Sequence, residues 1–170
     1  MEIAASSAQQ LRLPFLSEVL ACYQRKAFLD IELKVPGLEN LCCELLRSFA
    51  PQRGFAVSSF LPDVLEKLHS LDPKIPLGLI CETQSQLSRW LDLPTKYVMV
   101  HHKLAQPKRV AEMKAAGRKI FVWTVNLPAD IRRFSRLGVD GIISDNPRQL
   151  AMEIREKAAG PRKTGRKSGK

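Results

Sequence analysis

The chain has 170 residues, 45 % of them hydrophobic, and a net charge of +10. That length suits one well-cored domain, and no apolar run approaches the roughly 18 residues of a membrane-spanning helix. The start, Met1 to Gln10, has neither the basic opening nor the apolar stretch of a signal peptide. Cys22, Cys42, Cys43 and Cys81 show no Cys-x-x-Cys spacing, so free, mostly buried thiols in a reducing cytoplasm are expected.

The charge is unevenly spread. Five of the ten net positive charges fall in residues 160–170, which leaves +5 on the body. No apolar residue follows Ala159. Residues 159–170 are therefore predicted to be a disordered, solvated basic tail. A nucleic-acid arm is disfavoured, because no aromatic residue interleaves with the cations to stack on bases. Residues 1–12 are predicted to be a flexible N-terminus, and 13–158 the folded domain.

In chain order, Leu16, Val19, Leu20 and Tyr23 share one helical face. Next comes Phe28-Leu-Asp-Ile-Glu-Leu-Lys-Val-Pro36, which alternates with period two until proline stops it. Leu29, Ile31, Leu33 and Val35 lie on one face of that strand, and Asp30, Glu32 and Lys34 on the other. A helix follows with Leu38, Leu41, Cys42, Leu45, Leu46 and Phe49 at helical spacing. Phe55–Phe60 is a second strand, and Pro62 opens the helix carrying Val64, Leu65, Leu68 and Leu71. Leu77–Cys81 is a third strand; a capping-box pattern, Thr83 to Gln86, then starts a helix predicted to bury Leu87, Trp90 and Leu91. Tyr97–Val100 and Ile120–Val125 are the fourth and fifth strands, each followed by a helix with proline at its start and glycine at its end, Pro107 to Gly117 and Pro128 to Gly138. Ile142–Ser144 is the sixth strand. Asn146-Pro-Arg-Gln149 caps a last helix bearing Leu150 and Ile154.

The strands open at Phe28, Phe55, Leu77, Val98, Ile120 and Ile142, at steps of 27, 22, 21, 22 and 22 residues. Alternating strands and helices at that step are βα units around a parallel sheet, with both faces expected to be covered. Three charges in one covered row then read as a site, since a buried charge needs a partner. No Gly-rich phosphate loop follows the first strand, as an open doubly wound sheet would usually show. Polar residues instead gather at strand ends: Glu32 and Lys34, Ser58 and Ser59, Glu82, His101 and His102, Thr124 and Asn126, Asp145. That distribution suits a (β/α)8 barrel of which six βα units are present.

Four stretches, in order, resemble the glycerophosphodiester phosphodiesterase family: Leu13 to Leu20, Asp30-Ile-Glu-Leu-Lys34, Val57-Ser-Ser-Phe60, and Val122-Trp-Thr-Val-Asn126 together with Gly138-Val-Asp-Gly-Ile-Ile-Ser-Asp-Asn-Pro147. The resemblance implies a (β/α)8 TIM barrel and metal-dependent hydrolysis of a glycerophosphodiester to glycerol 3-phosphate and an alcohol, in lipid metabolism. It implies Glu32 as a ligand to Mg²⁺ or Ca²⁺, Lys34 facing the phosphate, and Phe60 and Trp123 lining the substrate pocket. A carboxylate suits a hard cation, and a lysine stabilises phosphoryl charge.

The family's His-Arg-Gly motif, its Glu-x-Asp metal pair and its second histidine have no match in this sequence. The expectation is therefore a truncated phosphodiesterase barrel, with the first two βα units encoded upstream or supplied by a complementing N-terminal chain, and with sheet edges exposed at 28–35 and 142–144. The alternative is a non-catalytic remnant that acts as a binding module. His101 and His102 are read as loop or capping residues, of which at most one faces the site. Asp145 serves either the site or the last helix cap.

Overall fold

The computed structural model describes residues 12–159. The basic tail and nearly all of the predicted flexible N-terminus lie outside those residues. Arg12 is placed, held by its guanidinium donating to both carboxylate oxygens of Glu18.

Six strands are laid down in chain order: β1 (Leu29–Glu32), β2 (Phe55–Ser59), β3 (Leu77–Cys81), β4 (Tyr97–His101), β5 (Lys119–Trp123) and β6 (Gly141–Ile142). Helix α1 (Leu16–Tyr23) precedes them. Then α2 (Glu39–Phe49), α3 (Pro62–Leu71), α4 (Gln84–Ser88), α5 (Pro107–Ala115), α6 (Pro128–Leu137) and α7 (Pro147–Ala159) follow the strands in turn. Every neighbouring pair is parallel and the sheet order is β1-β2-β3-β4-β5-β6. The punctuation in the sequence acts as expected. Pro62, Pro107 and Pro128 open helices, and Gly138 closes α6 in the left-handed region at φ 71°. Thr83 Oγ1 accepts from the Gln86 backbone N–H at 3.2 Å, while Gln86 Oε1 accepts from the Thr83 backbone N–H at 3.0 Å.

The sheet is curled. Phe28, just ahead of β1, has its ring 5.8 Å from Tyr97 of β4 and 5.8 Å from Phe121 of β5. In a flat sheet β1 and β4 would stand three strand spacings apart, about 14 Å. Six parallel strands curved in this way make an incomplete TIM barrel, as the βα rhythm predicts.

Alternation sorts the side chains into two layers. The outer layer (Val57, Leu77, Leu79, Val98, Val100, Ile120 and Val122) meets Leu46, Val64, Leu68, Val110, Met113, Ile131 and Phe134 from the helices, all buried. The inner layer is thinner: Ala56, Ile80, Tyr97 and Met99 are buried, with Phe60, Phe121 and Trp123 packed against them.

Several expectations are corrected. The polar row of β1 is open rather than covered: Asp30, Glu32 and Lys34 are all exposed, because two-sided cover of an inner barrel face needs strands from across the barrel. Val35 lies beyond the end of β1 and is exposed too. Leu38 and Leu41 are exposed, while Cys42, Cys43 and Leu46 carry the buried face of α2. Helix α4 is one short turn and a half followed by a 3₁₀ turn, Arg89–Leu91. The tighter winding turns Leu91 outward while Leu87 and Trp90 stay buried. Tyr23 and Ile154 also face solvent. The thiols follow expectation, with Cys42, Cys43 and Cys81 buried and Cys22 exposed. Burial raises the Cys42 pKa to about 11 and that of Cys81 to about 12, so both stay protonated. Among the described residues no helix is long and apolar enough to cross a membrane.

Candidate functional site

Inward-pointing residues at the C-terminal ends of the strands surround a groove of about 370 Å³, and Glu32, Lys34, Phe60 and Trp123 all line it. Asp30, Ile80, Glu82, Met99, Thr124 and Ile143 complete its lining. The four predicted site residues are thus brought together from three strands.

Two residues past the end of β1, Lys34 places its Nζ 3.7 Å from the Glu32 carboxylate. The pair is a loose surface contact of little energetic weight, which leaves the ammonium free to turn to an anion. Asp30 accepts from the Ser58 hydroxyl at 2.8 Å. Crowding against the sheet raises the Asp30 pKa, the Ser58 bond opposes that rise, and the Glu32 charge adds to it. Ser59 Oγ donates to the Leu33 carbonyl at 2.7 Å and accepts from the Leu61 backbone N–H at 3.1 Å. Fully buried, the two serines fix β1 against β2 and fix the turn that presents Phe60.

The opposite wall is aromatic. Trp123 donates its indole N–H to the Met99 carbonyl at 2.9 Å. Its ring meets Phe60 edge-on at 5.8 Å and His101 edge-on at 5.1 Å. His101 shares the inward parity of Tyr97 and Met99 and stacks on that wall without lining the groove. Burial, with the charges of His102 and Lys103, lowers its pKa, and Glu82 raises it. The second histidine, His102, gives its backbone N–H to the Trp123 carbonyl at 2.7 Å. Its Nδ1 is buried and has no hydrogen-bond partner among the described residues.

The two most distinctive sequence stretches act as clips on β5 and β6. At one end Asp140 accepts from Lys119 Nζ at 2.8 Å and from the Ile120 backbone N–H at 2.9 Å. At the other, Asn126 donates to Asp145 at 2.8 Å, while its carbonyl oxygen accepts from Ser144 Oγ and from the Asp145 backbone N–H. Asp145 therefore braces the loop after Trp123 and does not line the groove. Asn146 caps α7 through the Gln149 backbone N–H at 3.0 Å.

The donor chemistry of β1 suits a hard divalent cation, but the number of ligands falls short. Among the described residues no three His, Cys, Asp or Glu side chains converge on a common point. Carboxylates alone on one strand do not make a closed metal site.

A family model described as the glycerophosphoryl diester phosphodiesterase family matches residues 5–149. The chain belongs to that family. A glycerophosphodiester phosphodiesterase of Bacillus altitudinis is 34 % identical over 155 residues, covering 85 % of this chain and 63 % of its own. An Oleispira antarctica phosphodiesterase, solved with the product sn-glycerol-3-phosphate, is 26 % identical with a TM-score of 0.70, over 82 % of this chain and 59 % of its own. A glycerophosphodiester phosphodiesterase structure from Parabacteroides distasonis gives a TM-score of 0.75 at 23 % identity, over 85 % of this chain and 65 % of its own, and supports the fold. The chain spans less than two thirds of the length of each of these relatives.

The sequence marks Glu82 and Ser58 only as polar residues at strand ends, with no individual role. Both are polar and stand at a strand end, and counting parity back along β3 and β2 would have placed each on the inner face.

Proposed function

We propose that this chain carries the phosphate- and glycerol-binding part of a glycerophosphodiester phosphodiesterase site. The observation that supports it is the pairing, in one groove, of a free-swinging cation, Lys34, with an edge-to-face aromatic wall, Phe60 and Trp123, in a chain of this family. Lys34 would hold phosphoryl oxygens by charge-assisted hydrogen bonds. Phe60 and Trp123 would give the glycerol carbons an apolar surface. Glu32, beside Lys34, would steer the ammonium and is the ligand this reading offers to a divalent metal.

Titration of the full chain with sn-glycerol 3-phosphate, followed through the Trp123 indole resonance, tests this. Saturable binding that weakens about tenfold or more in Lys34→Ala is expected, the loss of a charge-assisted contact. Failure to bind rejects the reading.

A second reading, binding without turnover, is favoured by one observation: no histidine lines the groove. Hydrolysis of glycerophosphocholine with Mg²⁺ or Ca²⁺, abolished by Glu32→Ala, would eliminate it.

A further inference from the structure

The groove holds more negative charge than the phosphate-binding role uses. Among the described residues, Asp30, Glu32 and Glu82 line it against a single cation, Lys34. Asp30 and Glu32 stand two residues apart on β1, and each has a partner: Asp30 holds the Ser58 hydroxyl and Glu32 faces Lys34. Glu82 is set apart from both. It follows Cys81 at the end of β3, with β2 lying between it and the Glu32–Lys34 pair of β1. It belongs to no cluster of three metal-ligating groups among the described residues. Its backbone N–H is taken by Gln86 Oε1 at 2.9 Å. Its carboxylate has no hydrogen bond or ion pair to a described residue. The neighbour across the sheet is His101, since Cys81 pairs with Val100. Burial, with the charges of His102 and Lys103, lowers the pKa of that imidazole, and the Glu82 charge opposes that shift. Glu82 therefore brings a carboxylate with no hydrogen bond or ion pair to a described residue into the groove that the rings of Phe60 and Trp123 also line.

A carboxylate next to aromatic rings is a cation-binding combination, since the ring faces attract an ammonium and the carboxylate neutralises it. We propose that Glu82 selects the alcohol half of the substrate and favours diesters whose alcohol bears an ammonium group. This inference rests on the glycerophosphodiester reading above. The phosphate bridges to Lys34 at one side of the groove. The ammonium, two carbons beyond the ester oxygen in an aminoethyl alcohol, points across β2 to Glu82. A neutral or anionic alcohol gains nothing there and meets the Glu82 charge.

The test compares binding of three probes to the full chain: sn-glycerol 3-phosphate, glycerophosphocholine and glycerophosphoglycerol. A preference of about fivefold for the choline diester over the glycerol diester is expected, the scale of one exposed ion pair with a cation–π contact. Glu82→Gln should bring that ratio close to one, and Glu82→Lys should invert it. A Glu82→Lys protein that binds the glycerol diester more tightly also shows that the variant is folded. Equal binding of the two diesters by the unaltered chain, with sn-glycerol 3-phosphate still bound, overturns the assignment of Glu82 and leaves the phosphodiesterase reading in place. A preference that survives both substitutions overturns it equally. No binding of any probe removes both.

Discussion

The two faces of the sheet are built to different standards. The outer face is a finished core, in which Phe134, Ile131, Met113 and Val110 of the helices bury against Val98, Val100, Ile120 and Val122. The inner face has a small aromatic floor, Tyr97, Phe121 and Phe28, and above it a groove that is half charge and half ring. The outer face supplies stability because every strand contributes to it through its own helix. The inner face supplies chemistry, because residues from β1, β2, β3 and β5 meet only across the curl.

Substitutions that weigh one face against the other break or sharpen this contrast. The largest effect is expected on the outer face. Phe134 is fully buried, and Phe134→Ala should destabilise the protein by about 3–5 kcal/mol, whereas the half-covered Phe121→Ala should lose only about 1–2 kcal/mol. Chemical denaturation of the two variants checks the ranking, and equal losses would erase the distinction. The next effect comes from adding bulk to the inner floor. A Cβ on Gly141 would meet the Phe121 ring at 2.9 Å, so Gly141→Ala should cost about 1–3 kcal/mol through forced tilting of that ring. Chemical shifts of Phe28 and Tyr97, which touch Phe121, should move with it.

The smallest effect concerns charge. Asp30 has a raised pKa in the fold, so folding favours its protonated form. Its stabilising contribution is present below its ordinary pKa and is lost as pH rises through the folded value. Asp30→Asn should therefore stabilise the protein at neutral pH, by less than about 1 kcal/mol for a group this open. The gain should fade on acidification, as thermal melts at neutral pH and near pH 3 would reveal. A gain that persists in acid would point to packing instead of charge.

The features legible in the sequence are those governed by local spacing. The βα rhythm, the proline starts, Gly138 and the Thr83–Gln86 box each follow from residues within one turn of each other. The grouping of Glu32, Lys34, Phe60 and Trp123 was reached through resemblance, and the parity of each strand agrees with it. The openness of the Asp30–Lys34 row was not legible, because cover of an inner face depends on segments far away in sequence. Leu91 departs from its helical spacing for a local reason, the change from α to 3₁₀ winding after Ser88. Asp145 looked like a cap or a ligand. Its partner, Asn126, lies 19 residues earlier, a separation that no helical or strand period reports.

The strict match between strand order and chain order has a consequence for how the molecule is made. Each strand from β2 onward finds a neighbour already laid down by the preceding unit. A chain leaving the ribosome can therefore dock one βα unit at a time, with no strand waiting for a distant partner. During synthesis the newest strand is one exposed edge, beside the free edge of β1, and the next βα unit covers it.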